Sequence, residues 1–163
     1  MNNLSDISLV VKVDRHLCGF DLKARLISDA IGAFHNNNSM HIKCGTIPLP
    51  SMVMPGIVMD STMPTFYKIP VTAQLVKAIE AGEQPKQETI IHMYHPKVPW
   101  PKEGIKLLNN WYIILSCFEV FRWLVFWSLQ TRYNMPYSIY LCDLLYLFCI
   151  PRMVKILQSF WLQ

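Results

Sequence analysis

The last third of the chain cannot be left in water. Residues 111–163 carry four Lys/Arg and two Asp/Glu and contain neither Gly nor Ala. Within them, residues 123–129 (WLVFWSL) are apolar all round, and residues 137–150 are apolar except for Ser138 and Asp143. A helix that is apolar on every side must be buried in protein or in lipid. The first 110 residues are unlike this, with 11 Lys/Arg and 9 Asp/Glu. The sequence therefore divides into a small mixed α/β domain, α/β or α+β, over residues 1–110, extensible to about 122, and a helical, aromatic-rich tail over 111–163.

The two parts each carry a net charge of about +2, from 11 against 9 and from 4 against 2, so neither creates a strong field. No basic stripe is interleaved with aromatic residues, which gives no support to a nucleic-acid partner. Five cysteines occur, an odd number with no CxxC pair, and the first residues lack a basic-then-apolar leader. Reduced, packed thiols in a cytosolic setting follow. Cys142 and Cys149 fall on one face of a helix, where packing explains them better than redox chemistry.

Along the polar part, the β-branched run at 7–13 predicts a strand, and 14–19 a turn. Residues 21–35 predict an amphipathic helix capped by Asp21 and stopped by Asn36, Asn37, Asn38 and Ser39, whose short side chains compete for backbone hydrogen bonds. A second strand is expected at 40–47. Five prolines, Pro48, Pro50, Pro55, Pro64 and Pro70, predict a loop from 48 to 70, with at most a short edge strand at 56–60. A helix is expected at 70–81, closed by Gly82. A strand follows at 88–94 and a Pro-rich loop at 95–104. The order β-α-β, loop, α-β leaves strand direction open.

Residues 111–122 keep helical order, with Ile113, Ile114, Cys117, Phe118 and Phe121 on one side and Ser116, Glu119 and Arg122 on the other. This helix fits as the last element of the domain. It also begins a stretch, 111–129, of spanning length, since ~20 residues at ~1.5 Å each cover a hydrocarbon core. Glu119 and Arg122 stand against a span, each costing about 2.5–3.5 kcal/mol near mid-membrane. Lys97, Lys102 and Lys106 precede the first apolar segment and Arg152 and Lys155 follow the second. Only Arg132 lies between, which places both ends of a hairpin in the cytosol.

No catalytic motif survives inspection. His92 and His95 (HMYH), with His41 and Cys44, make a weak zinc set, because i,i+3 positions on a strand face opposite ways. Met52 and Met54, with Met59 and Met63, have the softness for Cu(I), but fit better as a flexible apolar patch for a partner. His16 and Cys18 lack an orienting third group. The six glycines form no phosphate loop. Asp60, Ser61 and Thr62 read as a turn. No catalytic, cofactor-binding or metal residue is assigned, no cofactor is implied, and no small-molecule ligand is identifiable.

The leading expectation is a non-enzymatic, membrane-associated protein with a cytosolic domain held by a C-terminal apolar hairpin, its tail the contact with lipid. One alternative is a cytoplasmic protein-interaction module whose tail packs on the domain or on a protein partner. The absence of Gly and Ala from the tail supports another, a truncated domain joined to translated sequence without function.

Overall fold

The computed structural model describes residues 6–13 and 22–133. The elements run β1 (Val10–Val13), α1 (Leu22–Lys43), β2 (Ser51–Asp60), β3 (Met63–Thr72), α2 (Ala73–Glu80), β4 (His92–Tyr94) and α3 (Leu108–Tyr133), with a 3-10 turn at Gly104–Lys106 before α3. The four strands form one sheet in sequence order. β1 lies parallel to β2, which α1 separates from it in sequence; β2–β3 and β3–β4 are antiparallel. The mixed α/β class is as expected.

Strand alternation divides the core into two sides. On one side Leu26, Ala30 and Phe34 of α1 pack against Met54, Tyr67 and Ile69. Gly56 lets α1 come this close, since a Cβ there would lie 2.9 Å from a Leu26 methyl. On the other side Cys117, Phe121 and Leu124 of α3 pack against Ile57 and Phe66. Phe118 meets the Phe66 ring edge-on at 5.1 Å between centroids. Each of these large side chains contributes roughly 1.5–3 kcal/mol by leaving water.

The loop expected over 48–70 is instead the long central hairpin of β2 and β3. The register explains how three prolines are tolerated there. Asp60 pairs with Met63 across Ser61 and Thr62, a two-residue turn whose closing pair is hydrogen-bonded. Alternation from that pair puts Pro55–Lys68, Met59–Pro64 and Val53–Pro70 all in the non-hydrogen-bonded class. The prolines thus withdraw no donor from the hairpin. On their outer sides, the β1 pairing begins only at Val10–Gly56, and β4 covers only Phe66 to Lys68. No outer ladder bond is lost either.

The asparagine run does not stop α1, which continues to Lys43, so the strand expected at 40–47 is instead the last turn of the helix followed by a turn. Asn37 is buried, donating from Nδ2 to the Ile7 carbonyl (2.8 Å) and accepting the Ile7 N–H at Oδ1 (2.9 Å). Asn38 makes the same two-point contact with Leu49, at 3.0 and 2.8 Å. These side chains pair with distant backbone rather than with their own turn. α1 ends instead at Gly45, which adopts φ +71°.

The helix expected at 70–81 is α2, shorter at its start because Thr72 caps it, accepting the Leu75 N–H at 3.1 Å. Gly82 follows at φ +69°, as its position after the helix requires. β4 keeps only the last three residues of the strand expected at 88–94. The turn at 14–19, the Asp21 cap, His16, Cys18, Cys142, Cys149 and the apolar segment 137–150 lie outside the described residues.

Candidate functional site

The residues that carry metal chemistry in principle are placed apart. His41 is buried, its Nε2 3.1 Å from Asp6 Oδ2 and its Nδ1 3.2 Å from the Ile47 carbonyl. It ties the N-terminal arm and the 44–50 turn to the end of α1. His95 Nδ1 lies 3.0 Å from the hydroxyl of Thr65. His92 is on the edge strand opposite Lys68, and Cys44 is exposed. Among the described residues no three His, Cys, Asp or Glu side chains gather as a metal site. Met52 and Met54 are not a flexible patch; they are buried in the core on the α1 side, while Met59 packs on the opposite side with the α3 cluster. Their placement follows from strand alternation, because 52 and 54 share a face that 59 does not.

Cys117 is buried beside Tyr94. Burial pushes its thiol up to about 11, against a smaller lowering by the Tyr94 hydrogen bond. Burial likewise pushes Tyr94 up to about 12, with the nearby Cys117 adding to the shift. A thiol held protonated in this way is a packing group rather than a nucleophile.

What the structure does assemble is a surface. α3 runs through the anticipated boundary at 110–111 without a break. Its inner side, Asn110, Ile114, Cys117, Phe121 and Leu124, is buried. Its outer side begins with Leu108, Trp111, Tyr112 and Leu115, at spacings of three and four that make one helical ridge. These side chains are 73%, 46%, 63% and 49% exposed. Trp100, 58% exposed, belongs to the turn below.

That turn and the helix start are locked together. Asn110 Nδ2 donates to the carbonyls of Trp100 and Gly104, both at 2.8 Å, and the Trp111 indole N–H donates to the Ile105 carbonyl. On its other flank, Ile105 N–H donates to Thr62 O at 2.9 Å and the Thr62 hydroxyl donates to Glu103 O at 3.1 Å. Gly104, at φ +50°, lies so close to Thr62 that no Cβ fits. The turn is thereby fastened to the β2–β3 hairpin, and the exposed aromatics stand on a rigid base. Lys97, Lys102 and Lys106 are exposed around it, with Glu103 the one acidic residue between 97 and 115.

No protein-family model matches the chain, and no curated protein or solved structure matches it. Functional reading therefore rests on the surface itself. Further along α3, Glu119 and Arg122 form the anticipated i,i+3 pair, Arg122 Nη2 to Glu119 Oε2 at 2.8 Å, and Phe126 is again exposed. No helix among the described residues is long and apolar enough to cross a membrane. The stretch 111–129 belongs to α3, whose Cys117, Phe121 and Leu124 pack against the sheet. A boundary at 110–111 divides the ridge at 108–115, because α3 begins at Leu108. Its i, i+3, i+4, i+7 spacing, opposite a second apolar stripe, was the signal that marks it.

Proposed function

We propose that the chain is a non-enzymatic docking module whose working surface is the outer side of the first two turns of α3, together with the Trp100 turn. One observation carries this reading. From Asn110 to Leu124 the inner side of α3 is buried, and the opposite side presents Leu108, Trp111, Tyr112 and Leu115 as a contiguous exposed ridge. Single exposed apolar residues need no explanation, but a clustered ridge rimmed by charge is the signature of a contact. Trp and Tyr are also the residues most enriched among the energetic centres of interfaces.

The test is Leu108→Glu with Leu115→Glu in the full chain. Both positions are exposed, so the melting temperature should stay close to that of the parent, surface changes being worth about ±0.5 kcal/mol. Cell fractionation should show the parent chain with a larger assembly or with membranes and the variant released. A folded variant that fractionates like the parent would sink the proposal.

A further inference from the structure

We infer that the partner of this surface is the headgroup region of an anionic lipid bilayer, contacted peripherally and without a span. The inference rests on the docking reading above and names its partner. Three features carry it. Trp100, Trp111 and Tyr112 expose large aromatic rings, the residue types enriched at the boundary between headgroups and acyl chains, and the Trp111 indole N–H, held by the Ile105 carbonyl, fixes its ring in place. Lys97, Lys102 and Lys106 flank them, and with Glu103 as the one opposing charge the segment 97–115 is net +2, from three minus one. Basic side chains beside an interfacial apolar ridge gain from an anionic surface, each by an amount that salt screens. The ridge from Leu108 to Leu115 is only about 10 Å long at ~1.5 Å per residue, fitting a shallow contact in the membrane plane.

A second copy of the chain fits less well. In a symmetric pair of copies the same patch faces itself, so the two lysine clusters would repel.

The experiment uses the full chain, synthesised in a cell-free system with liposomes of phosphatidylcholine alone or mixed with phosphatidylserine, and read by flotation. The expected result is flotation that depends on phosphatidylserine and falls with salt. Lys102→Glu with Lys106→Glu should weaken it at least about tenfold, and Leu108→Glu with Leu115→Glu should abolish it. Cooperative melting checks that each variant is folded, and the milder Lys102→Gln with Lys106→Gln, expected to lose less, guards against a misfolded charge reversal. Equal flotation on both liposomes, untouched by the lysine changes, overturns the inference and assigns membrane contact to the tail. Absence of flotation overturns it too. If flotation fails these tests while Leu108→Glu with Leu115→Glu still releases the chain in cells, the docking surface stands and its partner is a protein. If the apolar variant changes neither readout, both proposals fall.

Discussion

At the scale of single residues, backbone conformation and burial give the sharpest expectations. Ser61 holds φ +54° at the tip of the β2–β3 hairpin, a left-handed conformation that glycine adopts without penalty. Ser61→Gly should therefore raise the denaturation midpoint, by up to about 1 kcal/mol after the added freedom of the unfolded chain is subtracted. A lowered midpoint would show the serine side chain to be worth more than the strain. Cys117 and Tyr94 give a pH expectation. Both are raised in the folded state, the thiol from 9.0 to about 11 and the phenol from 10.0 to about 12. A raised folded pKa means that the native state holds its proton more tightly. The stability from these groups is complete below pH 9 and is lost as pH rises through the folded values. Urea midpoints measured between pH 8 and 12 should fall above about 9, and Cys117→Val should flatten the first part of the decline.

At the scale of elements, what was legible in the sequence was whatever local periodicity decided. The inner face of α3 from Ile113 to Phe121, α2 with its closing Gly82, and the turn at Asp60 to Thr62 all follow from spacing and turn chemistry. Two elements did not, for the same physical reason: long-range partners outweighed a local preference. Asparagines that would end a helix in isolation hold α1 to the N-terminal arm and the 49 turn, and prolines that would break a strand occupy pairs that need no donor. Neither the partner of an amide nor the class of a strand pair is visible before the register is known. The buried contacts of Asn37 supply a measurable consequence. Asn37→Ala leaves the Ile7 N–H and carbonyl without their partner, a loss of about 1–3 kcal/mol. Hydrogen exchange should show the Ile7 amide and β1 released while the β2–β3 hairpin remains protected. Equal protection in the variant would mean that β1 is held by the sheet and by the Lys12–Asp29 ion pair without this clamp.

For the molecule as a whole, the sheet is a template with two unequal coverings. α1 buries Leu26, Ala30 and Phe34 against one face, while α3 covers the β2–β3 part of the other face, leaves Val11 and Val13 of β1 exposed there, and still presents apolar residues outward. That second requirement was legible as composition, in the apolar excess after residue 111, but not as geometry. Only the fold shows that the first half of the excess is spent on the sheet and that the exposed remainder begins at Leu108.

The alternation that accommodates the prolines also bears on the order in which the chain assembles. All ten pairs of the β2–β3 hairpin join residues within one local stretch, closed by a two-residue turn. β1 must instead find Gly56 from Val10, 46 positions away, after α1 has formed between them. Loop closure is the larger entropic barrier in the second case. The hairpin is thus expected to form early and β1 to dock late. Conservative truncations in Ile57 or Ile69 should slow refolding, while Val10→Ala should chiefly speed unfolding.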